Sequence, residues 1–268
     1  MRPVSCICFI SLFALLVLGW SGGGARAAAF LDPAGQGEVI VTTSFTDSAN
    51  AFDASGRLVP VASYRKFELT AWMDYGLTDW LTLIVAPSAD DIINSNTPTS
   101  TYRGLGMTEA GVRVPIAQGG SSILSLQATG LVPGSFDRTD AALAGYNSFE
   151  SDARLLYGAG FELCGLPSFV DVEAGYRWYD IGPGEARTDL TFGIRPIPNI
   201  LLLMQSFTII SVGPGVPYAP NLRSDKLEAS AVYDFNKVWS AQLGVFATVA
   251  AVKARREQGL VTAVWYRF

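Results

Sequence analysis

The residues in this sequence with the means to do chemistry are carboxylates and guanidiniums at even separations within short apolar runs. They are Glu68, Asp74, Glu109, Arg113, Arg154, Glu162, Asp171, Glu173, Arg177, Asp189, Arg195, Glu228 and Asp234. Carboxylates outnumber cations in this set. Such a mixture either lines a path that favours cations or polar solutes, or pairs off and fills a closed interior. Catalysis fits less well, because the sequence contains no histidine and the common hydrolytic and acyl-transfer constellations use His as general base. A carboxylate-only glycosidase is the enzyme form least excluded. With no His and with Cys164 alone beyond the first eight residues, a zinc site and an internal disulfide both lack their ligands or partner. No cofactor is implied, and Cys164 reads as a small inert hydrophobe.

Even separations put these side chains on one face of β-strands. Phe67, Leu69, Ala71, Met73 and Tyr75 oppose Lys66, Glu68, Thr70, Trp72 and Asp74. Val170, Val172, Ala174, Tyr176 and Trp178 oppose Asp171, Glu173, Gly175, Arg177 and Tyr179, and the runs at 189–195 and 226–235 repeat the pattern. Short turns (Gly76 to Asp79, Gly119-Gly120, Gly165-Leu166-Pro167, Pro198-Asn199, Asn236-Lys237) alternate with long polar loops, such as Asp47 to Ser63, Asp90 to Arg103 and Pro133 to Ser151. That alternation predicts an all-β, transmembrane antiparallel up-and-down β-barrel of about twelve strands, with ten or fourteen as alternatives. A lipid-facing Arg or Lys at the bilayer midplane costs about 2–4 kcal/mol, so the charged face is expected inside. A soluble sandwich inverts the same alternation. The positions of Tyr75, Phe161, Phe169, Tyr233, Phe235, Trp239, Tyr266 and Phe268 beside the short turns or the terminus favour the barrel, where an interfacial girdle needs aromatic rings.

The chain ends in a strand, Leu260 to Phe268, expected to close the barrel against Glu38 to Phe45. Val264, Tyr266 and Phe268 on its apolar face resemble the C-terminal signal that the barrel-assembly machinery recognises. The beginning reads as an export leader: Arg2, an apolar Ile7 to Leu18, and Ala25-Arg26-Ala27 or Ala27-Ala28-Ala29 as the cleavage site. The expected organisation is a signal peptide, residues 1–29, and one barrel domain, residues 30–268. Taking Arg2 and Arg26 from the 19 basic residues leaves 17 against 24 acidic ones, about −7, so nucleic acid is a poor partner. Outer-membrane lipids and lipopolysaccharide are the expected surroundings. Lys253, Arg255 and Arg256, in the last long loop, either hold lipopolysaccharide phosphates or are solvated, and the Pro-rich loop Ser211 to Arg223 either folds inward or stands exposed.

At Tyr75-Gly76-Leu77-Thr78-Asp79-Trp80-Leu81-Thr82-Leu83, and again at Gly104-Leu105-Gly106-Met107 and Gly111-Val112-Arg113, the chain resembles a proteobacterial family of outer-membrane barrels assigned to transport in the MetA pathway of phenol degradation. In that family a Tyr-Gly-Leu-Thr-Asp turn precedes an apolar strand, and a Gly-rich strand with an inward basic residue follows the second long loop. The resemblance implies a bacterial outer-membrane barrel that passes small solutes, aromatic or apolar compounds among them. The two functional expectations are therefore a passive channel for a small-molecule solute and a closed barrel with a structural or surface-binding role.

Overall fold

The computed structural model describes residues 28–137, 140–143, 148–216 and 221–268. Of the expected leader, only Ala28 and Ala29 fall within the described residues. The alternating runs form β1 (Gly37–Phe52), β2 (Leu58–Thr78), β3 (Leu81–Ala86), β4 (Ser88–Asn94), β5 (Ser100–Leu105), β6 (Thr108–Gly119), β7 (Ser122–Val132) and β8 (Glu150–Leu163). They continue as β9 (Leu166–Tyr179), β10 (Gly184–Ile197), β11 (Ile200–Val212), β12 (Arg223–Asp234), β13 (Trp239–Val252), β14 (Ala254–Arg255) and β15 (Gln258–Arg267). β3 continues into β4 across Pro87, β5 into β6 across Gly106 and Met107, and β14 into β15 across Arg256 and Glu257. The result is a closed antiparallel barrel of twelve staves, as the alternation predicts.

Closure is made by the terminal strand. β15 pairs with β1 from Glu38↔Arg267 to Asp47↔Gln258, and β1 pairs on its other edge with β2. No strand edge remains for lipid to meet, the condition for crossing a bilayer with strands. The outer face carries the apolar parity: Val41, Phe45, Phe67, Leu69, Leu126, Leu155, Leu190, Leu227, Val245, Leu260 and Val264 are all exposed. Leaving so many large apolar side chains on one continuous surface is costly in water and favourable against acyl chains.

Two departures from strict alternation have local causes. Pro115 cannot donate to a ladder, and a bulge between Pro115 and Ala117 absorbs it. The break at Gly106 and Met107 changes parity, so that even-numbered residues face inward in β5 and odd-numbered ones, including Glu109 and Arg113, in β6. Two of the expected loops are corrected. Most of Asp47 to Ser63 is strand, turning only around Asp53-Ala54-Ser55-Gly56, where the Asp53 carboxylate accepts the backbone N–H groups of Ser55 and Arg57 at 2.7 and 3.0 Å. Asp90 to Arg103 is also largely strand. The expectation sized strands to a bilayer, whereas these staves extend past it, because a ladder once begun keeps gaining backbone hydrogen bonds in water as well.

The girdle is a contiguous set of rings at the periplasmic end. Tyr75 stacks on Phe268 (6.3 Å between centroids), Phe268 on Tyr266 (5.7 Å), and Tyr266 meets Trp239 (4.7 Å). Tyr233–Phe235 and Phe161–Phe192 extend it. Phe169 is a correction: it lies on the inward parity and packs beside Leu201, Leu203 and Val232. Proximity to a turn therefore did not settle which way this ring points; its parity with Asp171 did.

Candidate functional site

The barrel interior is divided between two walls. The charged wall comprises β2 and β6 to β10. At its centre Arg154 donates to Asp152 (2.7 Å), Glu173 (3.1 Å) and Asp189 (2.6 Å), spanning three staves. It can lie flat because Gly175 is its cross-strand partner; a Cβ there would come within 2.5 Å of Arg154 Cγ. Toward the extracellular side Arg177 bridges Asp152 (3.0 Å) and Glu150 (3.1 Å). Next to it Arg187 pairs with Glu185 at 2.5 Å, and the Tyr179 hydroxyl donates to Glu185 at 2.7 Å. Arg113, only 2% exposed, binds Asp74 at 3.1 Å and donates twice to Gln127 Oε1. Guanidiniums suit these places because their planar fork serves several carboxylates at once.

A second group of ion pairs lies at the periplasmic rim. Arg195 binds Asp234 (2.7 Å), Ser240 donates to the same carboxylate (2.5 Å), and Arg267 binds Glu38 (2.6 Å) and receives support from Ser240 (3.0 Å). These contacts join β10, β12, β13, β15 and β1, and so they tie the closing seam. Near the extracellular end Lys66 binds Glu68 (2.9 Å) and Asp90 (3.3 Å), and Lys226 binds Glu257 (2.7 Å).

The second wall, on β11, β12, β13, β15 and β1, is neutral only between its ends: Lys226, Glu257 and Glu228 stand on it toward the extracellular side and Asp234, Arg267 and Glu38 at the rim. The stretch between them is the neutral wall. Its inward residues include Leu201, Leu203, Val232, Phe246, Val261, Ala263 and Trp265, with Ser230 and Gln242 among them. Leu201, Leu203 and Val232 cluster with Phe169 and Trp265. Its polar groups satisfy one another: Trp265 Nε1 donates to Gln242 (3.1 Å), which donates to Ser230 (2.9 Å).

Two further segments enter the lumen. The residues before β1 run inward, and Ala29 is completely buried: its N–H donates to Asp171 (2.9 Å) and its carbonyl accepts from Ser125 (2.6 Å). Phe30 and Leu31 pack beside Ala29, Ile123 and Leu156, and the Phe30 carbonyl faces Arg113 at 3.4 Å. At the extracellular mouth the 3₁₀ turn Ala141–Leu143, capped by Asp140, seats Ala142 and Leu143 on Tyr64 and Ile92, with Tyr102 alongside.

Of the sequence-predicted site residues, Asp74, Arg113, Arg154, Asp171, Glu173, Arg177 and Asp189 share the charged wall, while Arg195 and Asp234 form the rim pair. Glu68 belongs to the Lys66 group; Glu109 and Glu228 face inward by register and make no ion pair among the described residues. Glu162 has the inward parity but stands exposed beside the periplasmic turn, away from the others. Glu150, Asp152, Glu185 and Arg187 were missed. Asp152 shares Arg154's parity and was legible; the other three fell in stretches read as loop. The inward segment at Ala29 had no signal in periodicity. Arg255 is turned from solvent, donating to the Ala62 carbonyl (2.8 Å) over the Tyr64 ring (5.3 Å). Of the loop Ser211 to Arg223, residues 217–220 lie outside the described residues, and Gly213, Pro214 and Gly215 stand exposed.

No protein-family model matches the chain, and no curated protein matches it in sequence. Solved structures do resemble it. The COG4313 outer-membrane channel from Pseudomonas putida F1 superposes with a TM-score of 0.72 at 16% identity, over 90% of this chain and 98% of that one. The translocator domain of the autotransporter NalP from Neisseria meningitidis gives 0.53 at 12% identity, covering 88% and 90%. The KdgM porin in complex with disordered oligogalacturonate gives 0.52 at 8% identity, covering 86% and 99%. At these identities the likeness is one of fold: the barrel is of the outer-membrane kind.

Proposed function

We propose that this protein is a passive outer-membrane channel for small molecules, aromatic or apolar compounds among them, and that solutes move along the neutral wall. The observation that carries this reading is the division of the lumen: ion pairs and the Ala29 segment concentrate on one wall, while the other is faced by Leu203, Phe246, Val261 and Trp265, buried or half-buried and held mainly by packing, which a solute can displace. An apolar solute would gain from that surface what it loses in leaving water. Likeness in fold to an outer-membrane channel and a porin supports the same class, and phenolic compounds enter only through the family resemblance carried by the motifs around Tyr75 and Gly104. A carboxylate-only enzyme is the weakest of the alternatives, since the histidine that the common hydrolytic constellations use is absent. Liposome swelling with phenolic, sugar and ionic solutes tests it. Faster entry of phenols than of sugars is expected; equal rates with and without protein would overturn it.

A second reading, a closed barrel acting through its surface, is favoured by the two segments that enter the lumen, one at Ala29 and one at Ala142 and Leu143. Single-channel recording separates the two readings, since a closed barrel carries no current. Under either reading Val264, Tyr266 and Phe268, all outward and exposed, are proposed as the surface read by the assembly machinery. Removing Phe268 is then expected to reduce the heat-modifiable folded form in membranes. For lipopolysaccharide contact, Lys253 remains the best placed of the three loop cations, because Arg255 is engaged inward.

A further inference from the structure

Where the inward segment meets the charged wall, the cations present are already committed: Arg113, which faces the Phe30 carbonyl, is bound to Asp74 and Gln127. Arg154 is shared among Asp152, Glu173 and Asp189, and the other cation on Asp152, Arg177, is itself shared with Glu150. Asp171, 2% exposed and two residues from Glu173 on the same face of β9, is held by the backbone N–H of Ala29 and by contact with Glu173; Arg113 acts on it by charge but makes its ion pair with Asp74. Several carboxylates so placed repel one another, and burial raises the cost of leaving them unmatched. A positive charge is called for beside Asp171, and the segment that contacts it begins close to a cleavage signature.

We propose that the chain is cut between Ala27 and Ala28, and that the α-ammonium so created at Ala28 is the cation that completes the Asp171, Glu173 and Asp189 group. Hydrolysis by an export leader peptidase consumes one water, leaves the carboxylate on Ala27 and puts the amine, protonated at neutral pH, on Ala28. Of the two signatures in the sequence, Ala25-Arg26-Ala27 gives this start and Ala27-Ala28-Ala29 does not. A cut after Ala29 would remove the residue whose N–H holds Asp171 and whose carbonyl holds Ser125, and would leave both side chains buried without those partners. A cut after Ala27 keeps both bonds. It places the new amine one residue, about 3.8 Å of chain, from the nitrogen that already lies on Asp171. Cleavage and seating thus become one event: the charge that holds the segment on its wall exists only after the leader has gone.

The test begins with protein expressed with its full leader in a Gram-negative host and extracted folded from the outer membrane. Intact mass and N-terminal sequencing should show Ala28 first; a start at Phe30, or a retained leader, would overturn the proposal. Competitive acetylation across pH then reads the α-amine directly. Its apparent pKa should stand about one unit above the ordinary value near 8, so that labelling at a given pH is about tenfold slower, and Asp171→Asn should restore ordinary labelling. Asp189→Asn is the second variant, should Asp171→Asn fail to assemble. An amine that labels at the ordinary rate in the wild-type barrel, unmoved by either substitution, would overturn it.

Discussion

The two walls of the lumen are built on the same β-ladder and differ in what holds their side chains. On β6 to β10 Arg154 serves three carboxylates and Arg177 two, so each of these cations has several dependants. On β11 to β15 and β1, between the rim pairs and Lys226, the inward side chains are mostly apolar or joined by neutral hydrogen bonds, as Gln242 is to Ser230 and Trp265. A network of the first kind is rigid and its parts fail together, because removing one cation takes a partner from every carboxylate around it. A surface of the second kind tolerates local change. The difference teaches why a barrel that passes solutes would keep both: one wall anchors the inward segment, and the other stays indifferent to what slides over it.

Substitutions can break that contrast or sharpen it. The largest effect is expected from Arg154→Met, which takes the bound cation from Glu173 and Asp189 and leaves Asp152 with Arg177 alone, and should cost about 3–5 kcal/mol of barrel stability, read from unfolding in urea with micelles or vesicles. Gly175→Val should follow, at about 1–3 kcal/mol, because the new side chain meets Arg154 where it crosses the wall; the same unfolding assay checks it. Deleting residues 28–32 removes the contacts to Asp171 and Ser125 while leaving every stave intact, and single-channel conductance should rise severalfold, with a loss of stability smaller than that of Arg154→Met because water then reaches both side chains. The smallest effect on stability, about 0.5–1.5 kcal/mol, is expected from Ser230→Val, which removes the hydroxyl that Gln242 donates to. That change should nonetheless alter relative swelling rates for phenols and sugars. If Arg154→Met proves as mild as Ser230→Val, the two walls do not differ in the way described.

Much of this was legible from the chain alone, for a plain reason. A strand's period of two is local, so the parity of Asp171, Glu173 and Arg177 assigns them one face without knowledge of neighbours. The membrane then decides which face is inside, since acyl chains accept Leu and reject Arg. Turn residues and the closing strand from Leu260 to Phe268 set the stave count and the closure. What periodicity could not supply was length and company. Glu150, Glu185 and Arg187 lie on stave ends beyond a bilayer's reach, and no local signal says where a ladder stops in water. Phe169 sits beside a turn like the girdle rings but fills the lumen beside Leu201 and Val232.

The sequence by itself determined an alternating, even-stranded, closed barrel with its charges inward and its aromatic rim at the end of the short turns, because each of those follows from residue types a few positions apart. The tertiary structure alone decided which carboxylates share Arg154, which wall is left neutral, and that Ala29 lies against Asp171 across 142 residues of chain. Such partners are set by register around the barrel's circumference and by where a non-strand segment finds room, and neither is written in local spacing.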